Sequence, residues 1–458
     1  MENFWDYNVW SSLNIVAVLL LSLLAGNTIK KLIKPLRASL IPTSVLAGIM
    51  LVIIASVYKT VTGDVMFDTE FFGGHGTNSL EVITYHALAL GFIAATFKPS
   101  KGKFTKKRTE EIFNTGVTTV STYLIQAVCG MAISMIAVYF LSDFFVAAGI
   151  LLPFGYGQGT GQALNYGGIF ENDFGFEGGK SFGLTIAALG FLSASIGGVF
   201  HLTYLKRKGL IKPKAEVVVK SQESMEADNS MNESMDRLTV QVALIAVAYM
   251  ITYGIMALLG NLLPGMKSVI YGFNFLLGVL SATLVKTIIN WLRKKNIMKR
   301  DYVSDFLMTR TSNFFYDIMV VSGIAAIRFS ALERYWGVIL IMGVVGLVIT
   351  YIYNRIVAKA LFKDYVEEQF LVMYGMLTGT ASTGIILLRE IDGDFHTPAA
   401  DNIVYQNFPA IVFGFPLMLL ATLAPVKPVL TLIILIAFFL VMNVILFRSK
   451  IFGSKKKQ

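Results

Sequence analysis

Two glycine-broken stretches hold the residues best equipped to do chemistry. Gly155-Tyr156-Gly157-Gln158-Gly159-Thr160-Gly161-Gln162 lies without gaps over Gly375-Met376-Leu377-Thr378-Gly379-Thr380-Ala381-Ser382. Gly155 matches Gly375, Gly159 matches Gly379 and Thr160 matches Thr380. A hard cation takes oxygen ligands, and Thr160, Thr378, Thr380, Ser382 and Thr383 offer neutral hydroxyls beside carbonyls that glycine lets a solute approach. Gln158, Gln162 and Asn165 add amide donors and acceptors, and helix N-termini formed at such breaks attract anions. Small residues also let helices pack closely. Packing glycines, however, need not recur in register at two break points, which favours the binding role.

Asp317 stands near the centre of an apolar run, with Thr309 and Asn313 on the same helical face at four-residue spacing. A carboxylate at such depth is costly and marks a functional site by default; Asn313 and Asp317 are candidate cation ligands, with pairing to Arg310 the structural alternative. Arg389, after the second stretch, has the charge to hold a carboxylate, though basic residues there also serve orientation. His86, Gln126 and Lys286 read as structural: a satisfied histidine, an interhelical hydrogen bond and a snorkelling lysine.

The elements that position these residues follow from composition. Of 458 residues, 55% are hydrophobic and only 15% charged, against about 25% charged in globular proteins. The chain reads as an all-α polytopic membrane protein. Its net charge of +10 does not point to nucleic acid, because Lys and Arg gather in short loops beside apolar runs, where they set orientation. Its one cysteine, Cys129, rules out an internal disulfide. Candidate spans lie near 9–28, 39–58, 81–97, 114–141, 181–205, 238–263, 268–292, 306–328, 333–358, 404–424 and 427–447. The start, Met1 to Tyr7, has Glu2 and Asp6 and no Lys or Arg, unlike a cleaved signal peptide, so the first span is expected to remain in the mature chain. Basic loops at Lys30–Arg37, Lys98–Arg108, Lys206–Lys214 and Arg293–Arg300 are placed inside, giving an outside N-terminus and a cytoplasmic C-terminus. With that count, 144–166 must start and finish outside and 370–388 start and finish inside, as re-entrant hairpins.

Two inverted-topology repeats follow, 1–205 and 238–425, each of five transmembrane helices plus one hairpin. Between them, 206–237 is a polar cytoplasmic linker, and 426–458 adds an extra C-terminal helix and basic tail. Irregular backbone survives at membrane depth only where it is buried or lines a cavity, and inverted repeats with matching breaks are the best sequence pointer to a secondary transporter.

On these residues the chain resembles the bacterial glutamate:sodium symporter family. The similarity runs from the first span to about residue 425 and is densest in LLPFGYGQGTGQALNYGGIFE, FGLTIAALGFLSASIGGVFHLTYLKRKG and MYGMLTGTASTGIILLRE. The resemblance implies two inverted five-helix repeats with re-entrant loops, a homodimer, and sodium-coupled symport of glutamate across the bacterial inner membrane. Where the family commonly carries Gly-Gly-His-Gly-Thr, this chain has Gly157-Gln158-Gly159-Thr160. The literal match at Gly73–Thr77 lies in an outer loop and reads as coincidence.

Two other functions stay open. The same machine with another amino acid or a dicarboxylate, driven by sodium or protons, fits the same residues. A membrane-embedded enzyme is the other class, suggested by Asp392-Gly393-Asp394 with His396 nearby. No His-Glu-x-x-His or nucleophile motif accompanies them, and no loop is long enough for a catalytic domain. A non-enzyme is expected.

Overall fold

A computed structural model describes residues 3–97, 105–210, 235–298, 302–393 and 395–451. Most of the 206–237 linker, the basic residues Lys98–Lys103, Lys299, Arg300 and Lys455–Lys457, and Asp394 lie outside them. The described residues form helices and no strand. The long ones are α1 Tyr7–Leu32, α2 Thr43–Thr62, α3 Gly76–Phe97, α4 Lys106–Phe140, α5 Leu151–Phe174, α6 Gly179–Arg207, α7 Arg237–Leu262, α8 Asn274–Lys294, α9 Asp305–Ala325 and α10 Trp336–Leu361. Then come α11 Val366–Thr378, α12 Ala381–Arg389, α13 Ala399–Tyr405, α14 Asn407–Leu423 and α15 Pro428–Leu446.

Among the described residues, nine helices are long and apolar enough to cross a bilayer, and the bent α13–α14 pair makes a tenth. Helix α9 has the length, at 21 residues, but carries Asp305, Arg310 and Asp317. Helix starts are set locally. The Thr105 side chain accepts the Arg108 N–H to start α4, and Asp236 accepts the Thr239 N–H to start α7. Helix α15 is apolar except for Thr431 and Asn443, and Val429, Leu430, Ile433, Leu440, Val441 and Val444 are exposed. Water would penalise so long an apolar face, whereas a bilayer is its natural solvent. These features are those of a polytopic membrane protein.

Packing does not divide the chain at the linker. One compact unit comprises Met1–Tyr85, Lys103–Leu202 and Ile318–Gln458, and a second comprises His86–Gly102 and Thr203–Asp317. In the first, Ile15, Leu19, Leu51, Phe67, Leu80, Leu184 and Val321 share a buried core. In the second, Ile93, Phe97, Ile245, Ala248, Ala282 and Met308 do. Within the first unit α15 packs along α4, and its Asn443 accepts the Tyr353 hydroxyl at 2.9 Å.

The first unit contains one unusually close seam. A Cβ added to Gly149 would lie 1.8 Å from the Gly130 carbonyl oxygen, and one added to Gly130 would lie 2.0 Å from that of Gly149. Backbone meets backbone, so no rotamer change makes room. Gly149→Ala is expected to destabilise the protein by at least the ~1–3 kcal/mol of ordinary overpacking, seen as a lowered Tm in detergent. An unchanged Tm would mean the seam has slack.

Candidate functional site

In the first unit both glycine-broken stretches fold back on themselves. Gly159 interrupts α5 with φ 79° and ψ −171°. Across it, the Phe154 and Tyr166 rings stack at 4.0 Å and Phe145 meets Phe170 at 5.3 Å. Twelve residues along an unbroken helix would separate the first pair by about 18 Å, so the chain reverses at Gly159. The second reversal is at Gly379 and Thr380, between α11 and α12. There a Cβ on Gly375 would lie 2.7 Å from the Gly384 Cα; glycine is what lets these arms touch.

The two tips meet. A Cβ on Gly159 would stand 3.8 Å from the Gly379 carbonyl oxygen and 3.8 Å from the Thr380 methyl. Thr160 is buried and its hydroxyl donates to the Met319 carbonyl at 3.1 Å. Thr380 caps α12, its hydroxyl oxygen accepting the Thr383 N–H at 3.4 Å and lying 3.3 Å from the Thr383 hydroxyl. Gln162 is buried; its Oε1 accepts from Asn165 at 3.3 Å, while its Nε2 donors have no acceptor. Gln158 and Asn165 are half-buried and Ser382 is exposed. None of these side chains is charged, so the local field comes from helix ends. The arms that start at Thr160 and at Thr380 both present N-terminal N–H groups, the positive pole of a helix.

The other sequence candidates have surroundings of their own. Thr378 is buried but turns its hydroxyl back to the Tyr374 carbonyl at 2.6 Å. Arg389 is exposed at the far end of α12, over the Phe395 ring at 5.4 Å, and nine residues of helix put it about 13 Å from Thr380. Asn313 and Asp317 are exposed on α9 and belong to the second unit. Within that unit His86 lies 2.6 Å from the Tyr249 hydroxyl and Lys286 donates to the Thr96 carbonyl at 3.0 Å. The Gly73–Thr77 motif builds a loop: Asp68 accepts the Thr77 N–H at 2.9 Å, and a Cβ on Gly76 would strike the Phe67 carbonyl at 2.2 Å.

Asp392 likewise closes a turn, accepting the His396 N–H at 2.8 Å and the Thr397 N–H and hydroxyl at 2.9 and 2.6 Å. Burial pushes its carboxyl up, but these donors outweigh burial and hold it below the usual carboxylate range. A lowered folded value means the stabilisation is present above the unfolded value, about 3.9, and fades as pH falls through the folded one. Asp392→Asn should therefore lower Tm at pH 7 and narrow its gap to the parent below about pH 4. A gap that does not narrow would remove the charge from the account.

Two buried networks in the first unit are less evident from sequence. His201 is only 1% exposed, its Nε2 2.8 Å from Glu367 and its Nδ1 2.7 Å from the Tyr351 hydroxyl. Arg355 grips the same Glu367 with two bonds of 2.7 Å. These contacts fasten the base of α11 to α6 and α10. The second network is a polar stripe on α4, with Asn114, Thr115, Thr118, Thr119, Ser121, Thr122 and Gln126 all buried. Its signal is a run of polar residues at helical spacing inside an apolar span. From it Gln126 donates to the Leu377 carbonyl at 3.0 Å.

Comparison with known protein families, with characterised proteins and with solved structures found no match for this chain.

Proposed function

We propose that the chain is a secondary transporter that carries glutamate together with sodium across the bacterial inner membrane by alternating access, in the manner of the symporter family it resembles. One observation carries this reading: the two helix breaks meet, Gly159 against Gly379 and Thr380. The converging N-terminal helix ends suit a carboxylate, and the unpaired Nε2 of Gln162 is a donor awaiting an acceptor. Hydroxyls of Thr160, Thr380, Ser382 and Thr383 and the Gly379 carbonyl are oxygens a sodium ion accepts. In this reading the halves 1–205 and 238–425 are inverted repeats, with the N-terminus outside and the C-terminus in the cytoplasm. Asp317, with Asn313, is the candidate for a further ion contact on the second unit.

The test is uptake by purified protein in liposomes. Labelled glutamate should accumulate under an inward sodium gradient and not under a potassium gradient; equal uptake from the two rejects sodium coupling. Thr380→Ala and Asp317→Asn should each raise the sodium concentration for half-maximal uptake roughly tenfold, the equivalent of about 1.4 kcal/mol. Unchanged sodium dependence in both removes the site assignment. Counterflow against unlabelled amino acids and dicarboxylates decides the substrate.

A further inference from the structure

Behind the tip of the second hairpin, two helical turns face each other with polar residues and no charge. On α4, Thr122 and Gln126 are one turn apart; on α10, Thr350 and Asn354 are one turn apart. They bond crosswise. Gln126 Nε2 donates to the Thr350 hydroxyl at 2.8 Å, and Asn354 Nδ2 reaches the Thr122 hydroxyl at 3.3 Å and the Thr350 carbonyl at 2.9 Å. Thr122, Gln126 and Thr350 are 0% exposed and Asn354 2%.

Both amide nitrogens rest on backbone carbonyls, Leu377 for Gln126 and Thr350 for Asn354. A carbonyl can only accept, so the amide orientations are fixed, and the atoms left over are oxygens. Gln126 Oε1 and Asn354 Oδ1 are buried with no hydrogen-bond donor. An unsatisfied buried acceptor costs about 1–3 kcal/mol, and two such atoms on side chains that share Thr350 call for a common partner. A carbonyl oxygen takes a hydrogen-bond donor or a cation, and the local field favours the cation. The last carbonyls of α11 lack helical partners and place its negative pole here; one of them, Leu377, is in the cluster.

We propose that Gln126, Asn354, Thr350 and Thr122 form a binding site for a small monovalent cation, sodium, separate from the hairpin tips. Neutral oxygens and a helix C-terminus suit one positive charge. A divalent ion would bring charge that nothing in the cluster offsets. The site rests on the symporter reading only for the identity of the ion.

Thermal unfolding of the full-length protein in detergent tests it, in sodium, potassium or choline chloride and without glutamate. Sodium should raise Tm along a saturating curve that the other two salts do not reproduce. Gln126→Leu and Asn354→Leu should each cut that sodium-specific rise by more than half. Thr350→Val, which keeps the shape and removes one proposed ligand oxygen, should raise the sodium midpoint about tenfold, and it answers the question if the leucine variants fail to fold. Equal responses to the three salts, leucine variants that keep the full sodium-specific rise, or a Thr350→Val variant with an unmoved midpoint would each overturn the site. Sodium-driven glutamate uptake with the parent's sodium dependence in Asn354→Leu would refute this site and leave the symporter reading. Sodium protection lost in Asn354→Leu, without sodium-driven uptake in the parent, would do the reverse.

Discussion

Glu367→Ala should be among the most damaging single changes outside the hairpin tips. The carboxylate lies between Arg355 and His201, and its side chain and that of Arg355 are only 26% and 17% exposed. Removing one partner leaves the arginine charge half-buried without its counter-ion, a loss of about 3–5 kcal/mol where pairs are fully buried and somewhat less here. The base of α11 would come loose from α6 and α10, and the second hairpin with it. A large fall in Tm is expected, together with loss of the proposed glutamate uptake. The double change Arg355→Met with Glu367→Leu should recover much of the Tm, because an apolar pair of similar volume avoids the desolvation cost. A Tm for Glu367→Ala within a degree or so of the parent would show that the ion pair does not hold the hairpin.

Gly159→Ala should abolish the proposed uptake while leaving most of the fold intact. At φ 79° and ψ −171° the residue occupies a region open almost solely to glycine, and a side chain there costs about 1–3 kcal/mol. Space is not the obstacle, since the nearest atoms to an added Cβ are at 3.8–3.9 Å. The protein is expected to relieve the strain by re-forming the break, which moves Thr160 and the Gly379 contact. Gly63 is the control: its φ is also positive, at 85°, but an added Cβ meets nothing within 4 Å. Gly63→Ala should lose a similar increment of Tm and transport normally. Equal uptake by the two variants would separate the Gly159 geometry from function.

The breaks were legible because glycine and threonine interrupt otherwise apolar runs. Gapless alignment pairs Gly159 with Gly379 and Thr160 with Thr380, and these are the residues at the two reversals. Less could be read about what each side chain touches. Spacing along one helix says which residues share a face, but not which neighbour that face meets. Thr378 belongs to the motif, yet its hydroxyl is consumed one turn back. Arg389 follows the hairpin in sequence, yet a whole helix separates it from the tip. Gln126 reads as one polar residue in a span, and only the placement of α10 and α11 reveals Thr350, Asn354 and the Leu377 carbonyl around it. His201 and Glu367 are 166 residues apart, and nothing local to either foretells the pairing.

The Gly130–Gly149 seam has a mechanical consequence. Side chains that interdigitate can slide by changing rotamer, as gears slip a tooth, but two main chains in direct contact have no teeth to slip. The entrance to the first hairpin is therefore riveted to α4, and any excursion of one must drag the other along as a single lever.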